Sequence, residues 1–111
     1  MTNQHFPHKA TLDRLLLQLP GVQGGQAFGY PAYKIDRKIF LFVDGTGIAI
    51  KLPAARVQDL IASDDPAMGP LEVETGVVWR EWVSIDRADP EDYAQDMPLV
   101  AESIEFVLSR R

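Results

Sequence analysis

The 111-residue sequence predicts a single α+β domain: an antiparallel sheet of about five strands, packed by helices at the N-terminus, in the middle and at the C-terminus. Three observations carry this. Leu12, Leu15, Leu16 and Leu19 recur at i, i+3, i+4 and i+7, the apolar stripe of one helix. Two short apolar runs, at 39–43 and 48–52, flank Asp44-Gly45-Thr46-Gly47, where glycine supplies the positive φ of a tight hairpin. The chain closes on a further helical segment whose Val100, Ile104, Val107 and Leu108 form a docking stripe, with Leu99, Ser103, Phe106 and Arg110 on its flank.

Each element follows in order. The first helix is expected at about 8–18, ended by Pro20-Gly21 because the residue before proline avoids helical geometry. A loop with Gly21, Gly24 and Gly25 leads to strands at about 26–35, 38–43 and 47–52. If Asp44 faces Gly47, Val43 faces Ile48, Leu41 faces Ile50 and Ile39 faces Leu52, so the large aliphatics share one side. A three-residue loop at 36–38 adds Tyr33 and Ile35 to that side and leaves Lys34, Phe40, Phe42, Ala49 and Lys51 on the other. Pro53 opens a second helix with Val57, Leu60 and Ile61 inward. A short strand near 71–73 precedes a last strand from Val77 to Ile85, where Trp79 and Trp82 have opposite parity, one inward and one outward. Asp89-Pro90 caps the final helical stretch, and Pro98 breaks or restarts it.

Composition narrows the function. With no cysteine there is no disulfide, thiolate metal site or cysteine nucleophile, which fits a reducing compartment such as the cytoplasm. No signal peptide is expected from residues 1–5, residues 1–7 are expected to be flexible, and no apolar run approaches the roughly 20 residues of a membrane span. The net charge of -5 hides an asymmetry: residues 1–56 hold seven Lys/Arg against three Asp/Glu, and residues 57–111 hold four against thirteen. An acidic whole argues against indiscriminate nucleic-acid binding and still allows a basic face on the first half.

That face is the main candidate site: Lys34, Lys38 and Lys51 with Phe40 and Phe42, joined by Arg37, Arg56, Arg80 and Trp82. Cations suit phosphates and flat rings suit unpaired bases. Burial of the phenylalanines by a helix or a second copy satisfies the same pattern, and the rarity of exposed apolar patches gives it the greater physical weight. A small-ligand cleft between Trp82 and the Phe28-Gly29-Tyr30-Pro31 segment is a third reading. His5 and His8 have a helical spacing but no third ligand, and read as solvated tail residues. The acids Asp64, Asp65, Glu72, Glu74, Glu91 and Asp92 fall mostly in loops and caps, so no metal or other cofactor is expected. Neither a histidine-based triad nor a phosphate-cradling glycine loop is present, and Glu81 and Glu102 read as ion-pair partners of Arg80 or Arg87; no enzyme is expected.

The ordered set "LPGV" (19–22), "AFGYPAYK" (27–34), "KIFLFV" (38–43), "IAIKL" (48–52), "REWVSI" (80–85) and "AESIEFV" (101–107) resembles the MmcQ/YjbR family, and in part the TfoX N-terminal domain. The resemblance runs from about residue 10 to residue 108. It implies a CyaY-like fold of the double-wing type and a DNA-binding role. On that basis DNA is the expected partner, bound weakly through the basic face, with Lys34, Lys38, Lys51 and Arg56 on phosphates and Phe40 and Trp82 as stacking surfaces. A protein-interaction or homodimerisation module is the alternative.

Overall fold

Leu12 and Leu16 are buried on α1 (Lys9–Leu16), so the leucine stripe does its expected work in a helix that ends two residues before the predicted end. The computed structural model describes residues 8–44 and 47–109. After α1 come β1 (Val22–Ala27), β2 (Tyr30–Ile35), β3 (Lys38–Asp44), β4 (Gly47–Lys51), α2 (Ala54–Ile61), β5 (Met68–Glu74) and β6 (Val77–Ile85). A 3-10 helix, Pro90–Asp96, runs into α3 (Met97–Ser109). The fold is therefore α+β, with six strands in one open antiparallel sheet of order β1-β2-β3-β4-β6-β5. Among the described residues no helix is long and apolar enough to cross a membrane.

The extra strand is β1. Its Gly24 and Gly25 argue for a loop on propensity, yet β1 pairs with β2 from Val22↔Ile35 to Ala27↔Tyr30. The expected single strand at 26–35 is thus a hairpin folded at Phe28 (φ 57) and Gly29 (φ 84). A second two-residue turn, Asp36 (φ 50) and Arg37 (φ 67), replaces the expected three-residue loop, with Ile35 facing Lys38. Two consecutive positive φ values define the hairpin turn whose twist matches its strands. Arg37→Gly removes a side chain from a conformation that strains it, and should stabilise the protein by about 1 kcal/mol in urea titrations.

Leu41↔Ile50 and Val43↔Ile48 pair as the register argument requires. Around Phe40 the alternation fails: Tyr33 faces Leu41 and Lys34 faces Ile39, leaving Phe40 as an extra residue on β3. This bulge turns Phe40 onto the helix side, fully buried, and sends Ile39 to the opposite side. The Ser103 hydroxyl of α3 donates to the Phe40 carbonyl (3.2 Å), satisfying a group beside the interrupted ladder. A larger irregularity lies in β6, where Pro70 faces Val83 but Leu71 faces Trp79, so residues 80–82 have no partners on β5. Parity no longer separates Trp79 from Trp82; both belong to the cluster on one face.

All three helices pack on the other face, where Leu41, Val43, Ile48, Ile50, Val83 and Ile85 meet Leu12 and Leu16, Val57 and Leu60, and Val100 and Val107. α3 is rotated from the expected stripe: Leu99, Val100, Ser103 and Val107 are buried, Ile104 is only partly so, and Leu108 is exposed. Arg110, expected on its flank, and His5 lie outside the described residues. His8 is no solvated tail residue. It is buried, its Nε2 donates to the Gly47 carbonyl (3.0 Å), and its ring stacks on Tyr93.

Polar struts join the layers. Tyr33 Oη donates to Asp13 Oδ1 (2.6 Å), and Lys9 pairs with Asp13 (2.8 Å). Burial opposes ionisation of both Tyr33 and Asp13; the bonds from Lys9 and Tyr33 nevertheless hold the carboxylate below its ordinary range, while the phenol is pushed far up. This carboxylate stabilises the fold above its usual titration range, and the contribution is lost as pH falls through its lowered pKa. Arg87 grips Asp96 with two bonds (2.7 and 3.1 Å) and reaches Asp65 (2.9 Å).

Candidate functional site

The sheet face opposite the helices carries its own apolar cluster, built on Ala32, Phe42, Ala49, Leu71 and Trp82. Its cover comes from the two ends of the sheet. Three strand spacings, roughly 14 Å, separate β2 from β6. Yet the Phe28 ring, from the β1–β2 turn, lies 5.0 Å from the ring of Trp79 on β6. The two outer hairpins therefore reach over the face as arms and meet above Phe42, whose ring is 5.3 Å from Phe28 and 5.1 Å from Trp82. Tyr30 stacks on Phe42 at 6.1 Å. Sequence logic explains the arms: the Phe28-Gly29 turn throws one ring inward over the face, and the irregular segment of β6 redirects the other hairpin.

Phe28 is the exposed member, 56% accessible, and it adopts a positive φ that a bulky side chain rarely takes. It stands between two clefts of opposite charge, one at the end of the sheet where Val107 of α3 joins the lining, and one on the open face. The first, about 350 Å³, is lined by Phe28, Lys38, Ile39, Lys51, Glu81, Trp82 and Val107. Lys51 Nζ stands 5.4 Å from the Trp82 ring centroid and 3.9 Å from Glu81 Oε1. The second, about 380 Å³, is lined by Phe28, Tyr30, Phe42 and Trp79 together with Asp44, Glu72, Leu71 and Val73. Burial, and then the charge of Asp86, raise the pKa of Asp44.

The expected site residues divide accordingly. Lys38, Lys51 and Trp82 share the basic cleft. Lys34 pairs with the cleft residue Ile39 but extends over Gly25 of β1, and Arg37 is the exposed turn residue before Lys38; neither lines the cleft. Trp82 is only 6% exposed, a wall of the cleft more than a platform. Phe40 does not belong to this face, because the β3 bulge buries it beneath α3. Arg56 does not either: it lies on α2, held by Glu102 through two bonds of 2.8 and 3.1 Å on the helical side. Arg80 is exposed on β6 and lines neither cleft. Phe28, Tyr30 and Trp82, expected to surround a small-ligand cleft, do share the open face, with Phe28 and Trp82 at 6.4 Å.

The acids also find different partners from those expected. Glu102 pairs with Arg56, Glu81 approaches Lys51, and Arg87 serves Asp65 and Asp96. Asp65, lowered first by the Ala67 backbone N–H and then by Arg87, is a loop staple. Among the described residues no group of three or more His, Cys, Asp or Glu side chains is arranged to hold a metal ion.

The residues missed as part of the basic surface are Phe28 in its role as divider and Trp79 in its role as cover. Two signals pointed that way: an aromatic before glycine at a turn, and tryptophans three apart, a spacing that shares a face only where a strand is irregular. Searches against protein-family models, curated proteins and solved structures find no match. The geometry defines an architectural class: a sheet packed by helices on one face, with a second apolar cluster on the open face beneath two hairpin arms.

Proposed function

We propose that the chain is a nucleic-acid-binding module of MmcQ/YjbR-like type that takes a DNA strand at the basic end of its open face. One observation carries the reading: Lys38 and Lys51 line a single cleft with the exposed ring of Phe28. Two cations suit successive phosphates, and an accessible ring offers a stacking surface for an unpaired base. Lys34 of β2 and Arg37 of the adjoining turn add positive charge beside the cleft without lining it. In this reading Phe28 replaces Phe40 as the stacking residue, Arg56 has no part, and no residue is assigned a catalytic role. The setting is the cytoplasm.

The test is fluorescence anisotropy of labelled single- and double-stranded DNA across about 50 to 200 mM salt. Affinity should fall with salt at a log–log slope of about -0.7 for each single-strand phosphate neutralised. Lys38→Glu with Lys51→Glu should weaken binding at least tenfold, and Arg56→Ala should leave it unchanged. Equal losses in both variants, or binding indifferent to salt, would contradict the assignment.

A protein-interaction module is the second reading, favoured by the exposed Val73, Val77 and Val78 on the β5–β6 arm. A dimer in light scattering without DNA binding would select it.

A further inference from the structure

We propose that the acidic cleft on the other side of Phe28 receives an organic cation, a methylated or quaternary ammonium group. Four rings, Phe28, Tyr30, Phe42 and Trp79, wall this cleft, and two carboxylates, Asp44 and Glu72, stand in the same wall. The rings form a connected set: Phe28 meets Phe42 at 5.3 Å and Trp79 at 5.0 Å, and Tyr30 stacks on Phe42 at 6.1 Å. Aromatic faces carry negative potential, so a cation among them is attracted by the rings as well as by the acids.

The chemistry selects among cations. A hard metal ion needs several oxygen ligands, and this wall offers two carboxylates and four rings. A methylated ammonium spreads its charge over carbon, sheds water readily and needs contact surface more than hydrogen-bond acceptors. Phosphate and nucleic acid are repelled by the carboxylates, so the guest differs in charge from that of the basic cleft. Burial raises the pKa of Asp44, as does the charge of Asp86; a cationic guest offsets both. Three of the rings are accessible or partly so, while Phe42 forms the buried floor, which gives an open-topped cage.

Choline and its uncharged isostere 3,3-dimethyl-1-butanol, titrated into the full chain by calorimetry, test the site. Choline should bind about tenfold more tightly than the isostere, the preference a ring cage with acids supports. Glu72→Gln should weaken choline several-fold; the amide oxygen still accepts from the Gly76 N–H that Glu72 now holds (3.0 Å), so the turn is kept. Asp44→Asn should act in the same direction. Lys38→Glu with Lys51→Glu should bind choline normally, which separates this site from the nucleic-acid reading. Equal affinity for the two probes, no choline binding at about 10 mM, or full affinity in both carboxylate variants would each overturn the proposal.

Discussion

Asp96→Ala is expected to destabilise the fold by about 3–5 kcal/mol, read as a shift of the denaturation midpoint in urea. Asp96 has a side chain only 3% exposed and Arg87 one only 9% exposed, and two bonds join them. Removing the acid takes away the two-bond partner of a buried guanidinium, which cannot be neutralised by deprotonation and keeps the contact with the more exposed Asp65. Arg87 also lies where the β6 exit, the Asp65 loop and the 3-10 helix converge; its backbone N–H donates to Tyr93 Oη, and the Tyr93 hydroxyl reaches the Ile85 carbonyl. The double replacement Arg87→Met, Asp96→Leu should recover most of the loss, because no unpaired charge then remains buried. A cost below about 1 kcal/mol for Asp96→Ala would mean that water solvates this pair as it does an exposed one.

Phe40→Ala should cost a similar amount, about 3–5 kcal/mol, since a fully buried ring leaves a cavity that the sheet and α3 cannot close. The variant also decides where Phe40 belongs. If it sat on the open face as uninterrupted alternation implies, truncation would cost little stability and would weaken DNA binding. The bulge predicts the reverse: a large loss of stability, with nucleic-acid affinity unchanged below the melting transition.

Phe40 also marks the limit of what alternation reveals. Where the backbone is regular, pattern was enough: the Val43↔Ile48 and Leu41↔Ile50 pairs, the span of β6 and the leucine face of α1 follow from spacing and turn glycines. Where an inserted residue resets the period, every side chain beyond it changes face, and nothing local in "KIFLFV" announces the insertion. Trp79 and Trp82 were misassigned for the same reason. The Phe28-Gly29 and Asp36-Arg37 turns were hidden differently, because neither is the Asn-Gly pair that signals such a turn. Arg56 and His8 are tertiary cases: their partners Glu102 and Gly47 lie 46 and 39 residues away. Lys51 was legible, since it ends β4 opposite Trp82 where the pairing is regular; Lys38 lies beyond the bulge and lines the cleft from the start of β3.

The most direct test of the two-armed face as the binding surface is a nitrogen-15 correlation NMR titration with a short single-stranded DNA. The indole N–H of Trp82 and the amides of Phe28, Lys38, Ile39 and Lys51 should shift together as the strand is added. Shifts centred on α2 and α3 around Arg56 and Glu102, or shifts spread evenly over the chain, would contradict the account.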